Sequence, residues 1–397
     1  VSGLPLDGVR VVDLTTVVSG PYSTLLLADF GADVVKVEAP GGDVARDLGP
    51  RAHEGMAAVY LACNRGKRSV VLDLRTDDDR VRLAELVAAS DVLVHNMRRD
   101  AAVRCGADPD TLLAANPDLV HCAIVGFGAE GPYADLPAYD DTVQGVAGIA
   151  GAQSWMHGEP TYAAQAVADK VAGMAAAFAI AAALRKREVD GAGSVIEVPM
   201  AELMVSFGLV EHLWGRVFVP PRGEVRYPRV STPTRRPFPT SDGHLAALVY
   251  TDRDWARFFA MIGRPELADE PRYATLHART QHVDELYLLV AEHLATDTTA
   301  VWFARFREAE IPAAPYNAVE GLFDDEHFRA VGLFEEVEHP TEGRLLQCLT
   351  PITLDGERVG NGAPAPELGA DTDAVFEEIS PPSSRRAATG RSARSRR

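Results

Sequence analysis

Cysteine is sparse in this 397-residue chain, and its four copies, Cys63, Cys105, Cys122 and Cys348, stand far apart, with no CxxC pair and no histidine at metal-ligand spacing. That excludes a disulfide scaffold and a zinc ribbon and predicts reduced thiols within a core. The histidines form no HxxxH or HxH pair beside an acid, so no metal is expected. Positive charge is also short: 39 Lys and Arg against 57 Asp and Glu leave a formal net charge of −18. Nonspecific nucleic-acid binding needs the opposite surface, so no nucleic-acid partner is expected. The N-terminus has no basic segment leading into an unbroken apolar run, which gives the expectation of a cytoplasmic protein with no membrane partner.

Three familiar signatures are missing as well. The first strand-turn-helix offers Gly20 alone where dinucleotide binding needs G-x-G-x-x-G, although Glu38 ends the next strand as a ribose-binding acid would. Gly66-Lys67-Arg68 is not a P-loop, because position 61 is leucine and an arginine follows the lysine. No G-x-S-x-G elbow marks a serine hydrolase.

What is present is an ordinary globular composition, 47% hydrophobic and 24% charged, in a chain long enough for two domains. One stretch stands out. Glu159 to Arg187 is almost entirely small and apolar, and Ala172 to Leu184 reads as a helix buried on every side, too small-residued and too short for a convincing membrane span. Near its N-terminal end sits Asp169. Free backbone N–H groups and the helix dipole favour an ionised carboxylate there, and a desolvated carboxylate can act as a nucleophile. Taken alone, Asp169 reads more simply as a helix cap or a surface pair with Lys170, and it is the rest of the chain that favours the nucleophile.

Around that stretch the chain alternates strand and helix. Val9–Leu14, Val34–Glu38, Ser69–Leu74, Val92–His95, Leu119–Val125 and Ser194–Val198 read as strands, with helices up to Phe30, from Asp79 to Ala89 and from Ala201 to Leu213. The expected fold is α/β, a doubly wound, Rossmann-like large domain followed by a smaller α+β domain. Ligands of such sheets lie beyond the carboxyl ends of the strands. Falling there are the turn Val18–Pro21, the segment Asn96–Arg99 with Arg104, the glycine loop Gly126–Pro132, and Tyr139-Asp140-Asp141; Asn64–Arg68 adds a second basic cluster before the third strand, with Arg75 after it. His95 reads as a hydrogen-bonded strand-end histidine. Pro220 to Thr240, rich in proline and arginine, marks a linker. Expected limits are 1–220 for the first part of the large domain, 221–325 for the small domain with its linker, 326–380 for a return to the large domain, and 381–397 for a disordered basic tail.

With these residues in view, the chain resembles the family III CoA-transferases, a family that includes formyl-CoA and carnitine-CoA transferases and 2-methylacyl-CoA racemases. The resemblance rests on LPLDGVRVVDLTTVVSGPYSTLLLADFGADVVKVEAPGGD at Leu4–Asp43, NRGKRSVVLDLR at Asn64–Arg75, DVLVHNMRRDAAVRCG at Asp91–Gly106, NPDLVHCAIVGFGAEGPYADLPAYD at Asn116–Asp140 and the Asp169 helix. Shorter echoes follow at Phe238–Gly243, Ile311–Asn317 and Glu338–Gly343.

The resemblance implies an interlocked homodimer and a covalent mechanism with Asp169 as catalytic residue. It implies CoA contacts at Val18, Ser19, Leu72, Arg75, Asn96, Met97 and Arg104, and an acyl pocket at Tyr139 and Asp140. The CoA thioester is then a substrate, partnered by a carboxylic acid acceptor, with no permanently bound cofactor. Each tetrahedral step calls for backbone N–H donors, expected from glycine loops or the helix start. Family racemases use a histidine in a G-H-D segment, and here that segment reads Ala138-Tyr139-Asp140. The implied activity is therefore acyl-CoA:carboxylate CoA transfer; the alternatives are a racemase or epimerase and a non-catalytic CoA-binding protein. The linker replaces the formyl-CoA transferase glycine lid, and its Arg222, Arg226, Arg229, Arg235 and Arg236 suit either an acidic acyl group or a solvated surface.

Overall fold

The computed structural model describes residues 3–360 and 362–380; the basic tail, expected to be disordered, lies outside the described residues. In chain order the strands of the main sheet are β1 (Arg10–Asp13), β2 (Asp33–Glu38), β3 (Arg68–Val71), β4 (Val92–His95), β5 (Val120–Val125) and β6 (Ser194–Pro199). The helices among them are α1 (Ser19–Asp29), α2 (Ala58–Asn64), α3 (Asp77–Ala88), α4 (Arg99–Arg104), α5 (Pro109–Ala115), α6 (Asp140–Val146), α7 (Ile149–His157) and α8 (Val167–Asp190), and α9 (Met200–His212) follows β6. All six strands are parallel, in the order β3-β2-β1-β4-β5-β6.

The sheet is covered on both faces, which is why its strands are near-continuous apolar runs. Val12, Leu14, Val35, Val37 and Val70 point into one core with Leu83, Leu86 and Val87 of α3. The alternating residues point the other way: Asp13 accepts from Thr24 of α1, and Lys36 donates to the Thr15 carbonyl. Local chemistry sets the helix ends. Pro21 sits in the first turn of α1, and Gly31, at φ 103°, stops it. Thr76 caps α3, whose first turn carries three aspartates at the positive end of the dipole.

Helix α8 departs from expectation. Ala168, Ala172, Gly173, Ala176, Ile180, Ala183 and Leu184 are buried, but Met174 and Phe178 are 56% and 78% exposed. It is therefore buried on one stripe rather than all round. The stripe is built of small residues because α1 lies so close: a Cβ on Gly173 would come 2.6 Å from the Ser19 carbonyl oxygen. At 24 residues α8 is also long and apolar enough, by length and composition, to cross a bilayer, contrary to the shorter expectation.

The chain divides into two compact units, Val1–Ala147 with Ala164–Val205 and Ala330–Arg397, and Gly148–Ala163 with Ser206–Arg329. The division falls at 205 and 329 rather than 220 and 325, and α7 goes with the second unit. Within that unit the Trp155 ring of α7 meets His212 edge-on at 4.9 Å, with the Arg226 guanidinium 5.6 Å from the Trp155 ring centre, contacts no local pattern announces.

The second unit has its own core. A three-stranded antiparallel sheet, β7 (Phe238–Pro239), β8 (His244–Ala247) and β9 (Ala313–Pro315), packs with α10 (Asp252–Met261), α11 (Leu276–Gln281), α12 (Val283–Leu294) and α13 (Thr299–Glu308). Trp255, Phe258, Phe259, Tyr287, Trp302 and Phe306 fill it. After α14 (Glu326–Ala330) come the hairpins β10–β11 (Phe334–His339, Gly343–Cys348) and β12–β13 (Thr353–Leu354, Glu357–Arg358), then α15 (Thr372–Ile379). Asp371 and Thr372, at the start of α15, accept the Ser69 and Val71 amides, covering the β3 edge.

Candidate active site

The sheet order reverses between β1 and β4, and the loops leaving those two strands meet there. The loop after β1 is tied down residue by residue. The Asp13 carboxylate accepts the Thr15 N–H at 2.9 Å and the Thr24 hydroxyl at 2.6 Å. The Asn96 side-chain amide, just past β4, makes a reciprocal pair with Thr16 at 3.0 and 2.9 Å. Asp43 accepts the Val17 N–H at 3.0 Å, holding that β-branched residue at φ 70°. Such a conformation is an outlier that persists only where its surroundings enforce it. The result presents Val18 and the buried Ser19 at the start of α1.

Beneath this turn lies a buried charge network. Lys36 pairs with Asp43 and Lys67 with Asp13, each at 3.0 Å and with no solvent exposure. Burial pushes the Asp13 carboxyl up, but Lys67, Lys36 and the two threonine hydroxyls outweigh it and hold it well below the usual range. Burial pulls Lys67 down to about 8 against the attraction of Asp13, leaving it protonated at neutral pH. Beside it Arg46 pairs with Glu38 at 2.7 Å, so the acid at the end of β2 is occupied by an arginine. The turn thus rests on fixed, paired charges.

The residues expected to hold CoA gather around these carboxyl ends to different degrees. Leu72 is a core side chain, 1% exposed, leaving only its backbone to offer. Arg75 is exposed and paired with Asp73 at 2.7 Å. Met97 is half-buried against the same core, and Arg104 is exposed at the end of α4. Arg80 connects the two neighbourhoods: it donates to the Leu74 carbonyl, and its Cδ lies 3.7 Å from where a Gly106 Cβ would stand.

The second basic cluster faces inward. Arg65 is paired with Asp29, Lys67 with Asp13, and Arg68 with Asp33 and Glu378. His95 is buried, accepts the Met97 N–H and packs on His121, and burial with that neighbour lowers it to about 3, so it serves the fold. Of the cysteines only Cys122 is a core thiol; Cys63 and Cys105 are half-buried and Cys348 is exposed. In the second unit Arg226 bonds to Ser231, Arg229 to Tyr227, and Arg222 lies over Phe218, while Arg235 and Arg236 are exposed.

Asp169 occupies the first turn of α8. Its backbone N–H donates to the Asp140 carboxylate at 3.1 Å, joining the two residues expected at the catalytic and acyl positions. Tyr139 is 70% exposed at the start of α6. The Asp169 carboxylate accepts no hydrogen bond from any described residue, so it is not a helix cap. Burial and then the Asp140 charge push it up to about 6, with Lys170 opposing, so the helix start does not dominate its ionisation. It remains mostly ionised at neutral pH. The amides of Gly128 and Ala129 are already bonded to Glu202 and Glu197, which removes them as free oxyanion donors. No three His, Cys, Asp or Glu side chains among the described residues gather to share a metal ion.

Asp43 and Asp13 were not singled out by spacing. A conformational outlier at Val17 is the signal that leads to them, and it is visible only in three dimensions.

A half-buried carboxylate without hydrogen bonds, beside loops that converge at a switch point, is a usable nucleophile. The family model for CoA-transferase family III matches residues 6–372. The succinate–glutarate CoA-transferase of Agrobacterium fabrum is 34% identical over 94% of this chain and 96% of its own length. The succinyl-CoA:mesaconate CoA-transferase of Haloarcula marismortui is 33% identical over the same shares. Among solved structures, a CAIB/BAIF family protein from Brucella suis superposes with a TM-score of 0.79 at 31% identity, covering 96% of this chain and 100% of that one. Rv3272 from Mycobacterium tuberculosis gives 0.80 at 28% identity, covering 94% and 99%. The chain is an enzyme that transfers CoA, a member of CoA-transferase family III.

Proposed function

We propose that the protein is an acyl-CoA:carboxylate CoA-transferase working covalently through Asp169. The carboxylate attacks the donor thioester carbonyl; the C–S bond breaks, giving a mixed aspartyl anhydride and CoA thiolate. The thiolate then attacks the aspartyl carbonyl, releasing the donor acid and leaving an Asp169–CoA thioester. The acceptor carboxylate attacks that thioester and the two steps run in reverse, so one CoA is exchanged for one carboxylate with no net redox change.

The observation that carries this reading is the state of the Asp169 carboxylate: part-desolvated, accepting no hydrogen bond from the described residues, and mostly ionised at neutral pH. Val18, Ser19, Leu72, Arg75, Asn96, Met97 and Arg104 would hold the CoA, with Arg104 and Arg75 available to phosphate. Tyr139 and Asp140 border the acyl end. A two-base racemase needs an imidazole where this chain has Tyr139. Relatives named for succinate, glutarate and mesaconate make dicarboxylates the first acids to try.

The active form in this reading is an interlocked homodimer. Its support is unpartnered apolar surface: Met174, Phe178 and Val195 in the first unit and Phe207, Val210 and Val219 in the second are all more than half exposed.

The test is hydroxylamine trapping. Protein incubated with a panel of acyl-CoAs and hydroxylamine is digested and its peptides weighed. A hydroxamate at Asp169 that depends on acyl-CoA is expected; absence of any Asp169 adduct across a panel that binds would defeat the covalent mechanism.

A further inference from the structure

One fully buried polar side chain near Asp169 has no part in the reading above. Gln144 lies on α6, one helical turn after Asp140 and next to the buried Val143, and none of its surface reaches solvent. A position that served packing alone would suit a leucine or methionine, because burying an amide is costly unless its polar atoms are paired. What that amide bonds to therefore accounts for its presence.

Gln144 Nε2 donates to Asp140 Oδ2 at 2.5 Å and to the Gln165 carbonyl at 3.3 Å. Both partners are oxygen acceptors, which fixes the end of the amide that faces them. The other oxygen of the same carboxylate, Asp140 Oδ1, accepts the Asp169 N–H at 3.1 Å. The Gln165 carbonyl also accepts the N–H of Val167, the first residue of α8. A closed circuit results: Gln144 to Asp140, Asp140 to Asp169, back along the chain to Gln165, and across to Gln144. It fastens α6 to the first turn of α8 at the point where Asp169 stands. The bond to Asp140 is charge-assisted, so it also keeps that carboxylate from rotating off the Asp169 amide.

We propose that Gln144 is a positioning residue for CoA transfer, acting through Asp140 to hold Asp169 on its line of attack. This rests on the covalent reading of Asp169 and adds to it a residue that touches no reacting atom. A nucleophile misplaced by about 1 Å can lose about 100-fold in rate, because orientation is felt in the transition state. Ground-state affinity for CoA is left as it was.

The test is a double-mutant cycle of Gln144→Met, which keeps the length and removes the donor, with Asp140→Ala. Each protein, in excess, is mixed with the labelled members of the acyl-CoA panel, beginning with succinyl-CoA and acetyl-CoA. Release of the donor acid is followed in a single turnover without acceptor, and CoA affinity is measured by calorimetry. Gln144→Met should slow acid release about 10- to 100-fold, the size of one charge-assisted hydrogen bond, with the CoA Kd changed less than about twofold. In the Asp140→Ala background the same substitution should slow it less than about threefold. An unchanged rate, equal losses in the two backgrounds, or a rate loss matched by lost CoA affinity overturns the assignment. Should methionine prevent folding, Gln144→Glu takes its place, because an ionised carboxylate keeps the shape and cannot donate. A wild type with no Asp169 hydroxamate across the panel removes the covalent reading and this assignment with it. A wild type that forms the hydroxamate, beside a Gln144→Met protein that forms it equally fast, removes the assignment alone.

Discussion

At the scale of single residues, the proposed mechanism makes the ionisation of Asp169 govern both rate and stability. Only its carboxylate is nucleophilic, so with a pKa raised to about 6 the first half-reaction should fall about tenfold per pH unit below that value, measured as single-turnover release of CoA. Part of the rise comes from Asp140, so Asp140→Asn, which keeps an acceptor for the Asp169 N–H, should move this acid limb to lower pH; an unmoved limb would mean the charge of Asp140 is not felt. The same shift costs stability. A carboxyl whose folded pKa lies above its unfolded 3.8 favours folding when protonated, an advantage complete below 3.8 and lost as pH rises through 6. Asp169→Asn should therefore abolish transfer yet be more stable than wild type by about 1–2 kcal/mol at pH 8 after allowance for solvent screening, with the gap closing below pH 4. Urea unfolding at the two pH values checks it. Position 169 was legible from sequence, because a carboxylate opening a small-residue apolar helix is a local pattern. Its raised pKa was not, because Asp140 is distant in sequence and burial is set by packing.

At the scale of elements, the α1–α8 contact positions Asp169 against the first turn. Gly173 is the point of closest approach, with the Ser19 carbonyl, Tyr22 ring and Ser23 amide all within 3.3 Å of where a Cβ would stand. Gly173→Ala should destabilise the fold by about 1–3 kcal/mol through overpacking, seen in the denaturation midpoint, and weaken CoA binding by shifting Ser19. Loss of stability without loss of CoA affinity would separate this contact from the turn. Strands and most helices were readable because apolar runs, Pro21 and Gly31 act locally. The orientation of the Arg65, Lys67 and Arg68 cluster was not: a string of cations looks like a ligand site until Asp29, Asp13 and Asp33 are brought to it by the fold.

At the scale of the whole molecule, exposed Phe178 and Met174 on a long apolar helix predict a second copy. Light scattering on purified protein should give a mass twice that of one chain, independent of dilution across the assay range, as an obligate pair requires. A chain that stays monomeric would remove the interlocked dimer from the proposal.

The sequence by itself determined the parallel α/β sheet, the glycine deficit that rules out dinucleotide binding, the acidic charge balance and the place of Asp169. Each depends on residue type and spacing along the chain. Only the tertiary structure decided that Asp43 and Asn96 hold the turn before Ser19, that the basic cluster is spent on internal pairs, and that one face of α8 is uncovered. Periodicity and turn chemistry act over a few residues. Charge pairing, desolvation and close helix approach depend on groups that meet only after the chain has folded.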